Sequence, residues 1–303
     1  MSATLVMSST QFKSVEGCLR AMLFRFRSRL RTVTSTDYFA RGCAVHAGLA
    51  THYDGKSVDD SLLAAVNELQ ARLPNNPDMV QELTPQVLDL LTFYLSDDPK
   101  SGATLDKEER VNTIAVENTF DIEVAPDIRI IGIIDHLKYF HRSNSMKGKA
   151  IEDHKTSKRG GLTYGSNIEY EPQQLLYAWA AREMGFAPEW FSWNVLVTTK
   201  QPYVMRFYEP IYWPRIHTYM LRAINFAKWL QKQPEEPGEI LLDVPGNPGQ
   251  CRSCMFRQLC DFPQLTDVLL QSDFRREEYQ GLSQFRKATN GTQGSNDTSS
   301  NTP

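Results

Sequence analysis

The 303-residue chain carries 33 basic and 36 acidic residues, a formal net charge of -3, so no global positive field draws it to nucleic acid and such a partner has to be held by a local patch. Hydrophobic residues make up 41% and charged residues 23%, and no apolar run approaches the roughly 20 residues of a membrane helix, which reads as a soluble protein without a membrane partner. Five cysteines, three of them in "CRSCMFRQLC" (251–260), suit a metal or cluster site in a reducing, cytoplasmic compartment better than a disulfide framework.

In chain order, the stretch up to Arg31 is rich in Arg and Ser and faintly resembles a transit peptide. Its apolar helical face of Cys18, Met22, Phe26 and Leu30 reads instead as folded protein. Segments 37–53, 57–73 and 77–95 have apolar spacing near three and four and predict helices, the last as one or two helices around Pro85. "NTIAVENTFDIEV" (112–124) and "IRIIGIIDHLKYF" (128–140) alternate as strands joined by the turn "APD", and "GKAIEDHKTSK" (148–158) is a third strand entering a basic loop.

"EPQQLLYAWAAREMG" (171–185) predicts a helix opened by Pro172 and stopped by Gly185. Two more strands follow at 189–199 and 202–211, then an amphipathic helix from about Trp213 to Leu230. The order predicts an α/β fold, a mixed sheet flanked by helices. A Pro/Gly loop at 243–250 delivers the cysteine segment, and residues 281–303, rich in Ser, Thr, Asn and Gly, are expected to be a disordered tail. There is no GxxxxGK[ST] phosphate loop, which leaves no sign of an NTP-driven motor.

Asp153 and Lys155 form an Asp-x-Lys on one side of a strand. Alone, such a pair reads as a surface ion pair. Asp135, however, ends the apolar run "IRIIGII", where a carboxylate needs a partner or a cation. Two carboxylates converging at strand ends suit Mg²⁺ or Mn²⁺, and an adjacent lysine can orient or deprotonate a water there. Glu152 should point to the opposite face of its strand.

In this order the residues resemble the PD-(D/E)xK nuclease superfamily, and in particular its RecB-like exonuclease branch with an iron–sulfur cluster, which has CRISPR-adaptation-type and AddB-type members. The resemblance runs from about Ser9 to Phe262. Asp135 in "GIIDHL" matches the first motif acid, Asp153 and Lys155 the (D/E)xK, Gln173 and Tyr177 in "QQLLY" the QxxxY, and Gly42 with His46 in "GCAVH" the GxxxH.

The resemblance implies a restriction-endonuclease-like core within one nuclease domain at 1–280, with a helical part at about 10–100 and a sheet core at about 110–235. It implies metal-dependent DNA hydrolysis with Asp135, Asp153, Lys155, Gln173 and Tyr177 at the active site and 5′-phosphate products. His46, Asp135, Asp153 and the backbone carbonyl of His154 would hold Mg²⁺ or Mn²⁺. Glu117 in "VENTF" matches more loosely and stands outside this set.

It further implies that Cys18 joins Cys251, Cys254 and Cys260 around a [4Fe–4S] cluster as a clasp, with zinc in the same four thiolates as the alternative. Leu19 stands where proline commonly follows that first cysteine, and Cys43 is expected to pack as a small apolar residue. Substrates would be DNA ends or single strands, with a recombination-type or CRISPR-type protein as partner. Two basic clusters could hold DNA: Arg20, Arg25, Arg27, Arg29 and Arg31, which also read as a solvated helix face, and Lys155, Lys158 and Arg159 beside Tyr164 and Tyr170. Two other readings stay open, a non-catalytic iron–sulfur DNA-binding subunit of a helicase–nuclease complex and a lambda-type recombination exonuclease.

Overall fold

The computed structural model describes residues 4–14, 18–32, 37–158, 165, 168–240, 251–252 and 254–276. The chain divides into two compact units, one made of residues 36–118 and 133–213 and the other of 1–35, 119–132 and 214–303. The anticipated tail and the Pro/Gly loop lie outside the described residues. Among the described residues no helix is long and apolar enough to cross a membrane.

The unit formed by 36–118 and 133–213 opens with three helices, α3 (Asp37–Tyr53), α4 (Val58–Arg72) and α5 (Pro77–Tyr94). The Ser57 hydroxyl accepts from the Asp60 amide while the Asp60 carboxylate accepts from the Ser57 amide, closing a capping box on α4. Asn76 caps α5 with Pro77 in the first turn. Pro85 does not divide α5, because it lies on the exposed side where water meets the carbonyl that has lost its amide partner. Ala44, Val45 and Leu49 of α3 pack with Leu69, Val87, Leu91 and Tyr94 and reach Leu196 and Val204 of the sheet.

That sheet is mixed, as anticipated. β4 (Ile128–Ser143) runs antiparallel to β5 (Met146–Ser157), β5 parallel to β6 (Trp190–Val197), and β6 antiparallel to β7 (Tyr203–Pro210), while β3 (Asn112–Ala125) pairs with β4. A parallel pair needs a crossover, and α7 (Pro172–Glu183) supplies it between β5 and β6. Gly185, at φ +85°, follows α7 in the left-handed region where glycine is free to end a helix. A short helix, α6 (Gly102–Glu108), precedes β3 and was not anticipated. Its Gly102 packs so closely on Tyr94 that a Cβ would stand 2.0 Å from the ring.

The other unit corrects the reading of the N-terminal stretch. Cys18, Met22, Phe26 and Leu30 do not line one helix. β1 (Leu5–Met7) pairs in parallel with the start of β4, and α1 (Ser9–Ser14) follows. α2 (Leu19–Met22) then runs into a π turn at Leu23–Arg27, Arg29 takes φ +58°, and Leu30 lies buried on β2 (Leu30–Thr32), paired antiparallel with β8 (Phe274–Arg276). The π turn buries Leu23, Phe24 and Phe26 together, and Phe24 packs on Phe256, which stacks on Phe274.

Of the arginine run, Arg29 is exposed, but Arg20, Arg25 and Arg27 are not a simple solvated face. Arg27 donates to the carbonyls of Gln233 (2.9 Å) and Gln231 (3.3 Å) and pairs with Glu235. Arg20 and Arg25 lie over Phe24 and Phe26. Long α8 (Trp213–Gln231) buries Ile216, Met220, Ala223, Ala227 and Leu230.

Candidate active site

Two adjacent strands and two helices of a single unit bring most of the anticipated residues together. β4 carries Asp135, β5 carries Asp153 and Lys155, α3 carries His46 and α7 carries Gln173 and Tyr177. The buried Asp135 carboxylate accepts the backbone amide of His154 at 2.8 Å and lies 3.3 Å from His46 Nδ1. Lys155 is paired with the buried Asp153 carboxylate and donates to Gln173 Oε1 at 2.8 Å. Gln173 Nε2 donates to Asp153 Oδ1 (2.9 Å) and to Tyr177 Oη (3.2 Å), so one amide fixes acid and lysine together.

The electrostatics are those of crowded acids. Burial works against ionisation of Asp135, but His46, His154 and their hydrogen bonds hold its carboxyl well below the usual range. Asp153 is pushed up to about 6, first by burial and then by Asp135, against the pull of Lys155. Burial opposes the charge on His46 as well, yet the Asp135 carboxylate raises it to about 9. His46 is thus an imidazolium beside Asp135, and since only the neutral ring can ligate, a bound cation would take the place of that proton.

The donors also fit a hard cation. Atoms of His46, Glu117 and Asp135 lie within 4.8 Å of one another, a mixture of imidazole nitrogen and carboxylate oxygen suited to Mg²⁺ or Mn²⁺. Glu117, held outside the primary set on sequence, thus joins His46 and Asp135 in a compact donor group, which does not include Asp153. Glu117 is a non-glycine residue at φ +47°, a sparsely populated backbone region that recurs at functional sites. The sequence signal was an acid interrupting the pattern of a strand.

A second tight group, His136, Glu152 and His154, is wholly buried. Glu152 does face away from Asp153, and it is already satisfied by the Lys138 ammonium, by Ser192 Oγ (2.7 Å) and by His136 Nδ1 (3.1 Å), with Arg206 Nε at 3.9 Å. Lys138 also donates to Tyr208, and Arg206 reaches Glu109 (2.9 Å) and Asp106 (2.6 Å). The Lys138 ammonium already serves as counter-ion to Glu152, with Arg206 close by, so this layer reads as a charge-paired support behind the acids.

Cys18, Cys251, Cys254 and Cys260 all belong to the other unit and all are free thiols. Burial pushes the Cys254 and Cys260 thiols up, and Cys18 is among the neighbours that add to it. Among the described residues the cysteines do not form a group as tight as the two above. Cys43 lies on α3. Of the second basic cluster, Lys158 and Tyr170 are exposed, and Arg159 and Tyr164 lie outside the described residues.

Residues 6–261 match a family described as the PD-(D/E)XK nuclease superfamily. Among solved structures the chain is similar to one described as a "Putative exonuclease" from Eubacterium rectale, with a TM-score of 0.47 and 13% identity over 81% of this chain and 91% of that one. No curated protein sequence matches it significantly.

Proposed function

The chain belongs to the PD-(D/E)XK nuclease superfamily, and on that premise we propose that it is a divalent-metal-dependent deoxyribonuclease acting as an exonuclease on DNA ends or single strands. The observation that carries the reading is Lys155 clamped between Asp153 and Gln173 beside the Asp135–His46 pair. His46, Glu117, Asp135 and Asp153, with the backbone carbonyl of His154, would hold Mg²⁺ or Mn²⁺. A bound ion supplies Lewis-acid activation of water and phosphate. Lys155 places a positive charge where it orients the attacking water and meets negative charge growing on the phosphate oxygens. Gln173 holds lysine and acid at fixed separation, and Tyr177 takes its second N–H. The products carry 5′-phosphates.

In the same reading Cys18, Cys251, Cys254 and Cys260 would hold a [4Fe–4S] cluster, or zinc in the same four thiolates as the alternative, stapling the N-terminal stretch to the C-terminal segment. The donor set supports this, since four free thiols from distant stretches fall in one compact unit. The setting would be a reducing cytoplasm and a recombination, repair or CRISPR-adaptation-like process.

Glu117→Gln is expected to weaken Mn²⁺ binding by about 10- to 100-fold, as loss of a ligand or of its close support does. Calorimetric titration would check this, and unchanged affinity would remove Glu117 from the site. The whole reading is tested by giving anaerobically purified protein 5′- and 3′-labelled single- and double-stranded DNA with Mg²⁺, Mn²⁺ or EDTA, and measuring iron on the same sample. Metal-dependent end products are expected; an iron-free but active protein would sink the cluster alone.

A further inference from the structure

On β5, the residue between Asp153 and Lys155 is His154, whose ring is turned into the buried polar layer. Its Nδ1 lies 3.0 Å from Asn194 Nδ2, on the neighbouring strand β6. The direction of that hydrogen bond follows from the rest of the chain of contacts. Arg206 can only donate, and its Nε lies 3.2 Å from Asn194 Oδ1, so the amide oxygen must face the guanidinium. The amide nitrogen therefore faces the imidazole and Tyr94 Oη, and it can only donate to both. Tyr94 is left to donate to Tyr53 (2.7 Å), and Tyr53 to Asp106 (3.1 Å). His154 Nδ1 is thereby an acceptor, its proton sits on Nε2, and among the described residues Nε2 is buried without a hydrogen-bond partner.

His154 touches both halves of the proposed metal site. Its backbone amide donates to Asp135. Its ring stacks on Tyr53 at 5.4 Å and 5°, and meets the His46 ring edge-on at 6.0 Å and 82°. His46 and Tyr53 are about two turns apart on α3 and so share a face. The ring is the spacer that sets how α3 meets β5, and hence where His46 lies relative to Asp135.

We propose that Asn194 is a positioning residue for metal binding, acting through His154 by locking the ring in the Nε2–H tautomer and in one orientation. This rests on the nuclease reading for its rate measurement only, since metal affinity and tautomer are read without cleavage; a wild type that binds Mn²⁺ but cuts nothing would sink the nuclease reading alone.

The first test needs no variant in the measured protein. Imidazole ¹⁵N spectra of metal-free wild-type protein, with the His154 signals identified by their loss in His154→Phe, should show the Nε2–H tautomer, and an Nδ1–H tautomer overturns the proposal. The second test uses Asn194→Asp, equal in shape but lacking the N–H. Mn²⁺ affinity and kcat at fixed Mn²⁺ are expected to fall about 10- to 100-fold, with KM for DNA held and the rate recovered at higher Mn²⁺. Unchanged Mn²⁺ affinity overturns the proposal.

In a His154→Phe background the same substitution should add no further loss, whereas full additivity would show that Asn194 does not act through His154. Tyr94→Phe, which removes the acceptor of the other N–H of the same amide, should leave Mn²⁺ affinity at the wild-type value. An equal loss there would mean general loosening and would also overturn the proposal.

Discussion

Replacing Lys155 with methionine is expected to lower metal-dependent cleavage by about 10²- to 10⁴-fold, the range for removing a positioned proton-transfer or charge-stabilising group. Lys155 is the ammonium paired with Asp153, and Gln173 accepts from it at 2.8 Å. Burial works against its charge, yet Asp153 and then Asp135 raise its pKa. It is therefore present as an ammonium, which stabilises charge and orients water more readily than it removes a proton. Because the side chain supplies only one positive charge, affinity for a long DNA strand should change little. Single-turnover rates beside binding isotherms separate the two, and equal losses in rate and binding would assign Lys155 to DNA holding.

The second large effect is on stability. Glu152→Ala is expected to cost about 3–5 kcal/mol, because it takes the carboxylate from the buried Lys138 ammonium, while Arg206 keeps Asp106 and Glu109. At about 2–4 °C per kcal/mol for a domain of this size, Tm falls by roughly 6–20 °C. Denaturant unfolding followed by circular dichroism checks it, and a loss within about 1 kcal/mol would show the layer to be dispensable.

The pH dependence has a defined sign. Burial disfavours the Glu152 carboxylate, but Lys138 and Arg206 outweigh it and hold its pKa well below the usual value. Its contribution is complete above the ordinary glutamate pKa of about 4.3 and is lost as pH falls below it. Glu152→Gln should therefore lose part of the acid-induced destabilisation expected of the wild type, as denaturant unfolding across pH would show.

Much of this was legible from local pattern. The helices carrying His46 and Gln173 and the strands carrying Asp135 and Asp153 follow from periodicity within their own segments, and the alternation of β5 places Asp153 with Lys155 and against Glu152. What was not legible depends on distant pairing. Leu30 fits a helical stripe as well as a strand, and only its pairing with Arg276 makes it a strand.

Lys138 and Arg206 each interrupt an apolar strand, in "IIDHLKYF" and "YVMRFY", which was a readable sign of a buried ionic layer. That they meet at Glu152 depends on the order β4-β5-β6-β7, which no single segment contains. Glu117 was visible as an acid in a strand, but its left-handed backbone, which accompanies its place beside His46 and Asp135, was not.

The most direct measurement of the central claim is cleavage of end-labelled DNA by the anaerobically purified wild type and by Asp153→Asn, each with Mn²⁺ and with EDTA, alongside DNA binding by both proteins. The account predicts shortened products only for the wild type with metal, and comparable DNA binding by the two. A wild type that binds DNA and Mn²⁺ yet leaves every strand intact would contradict it.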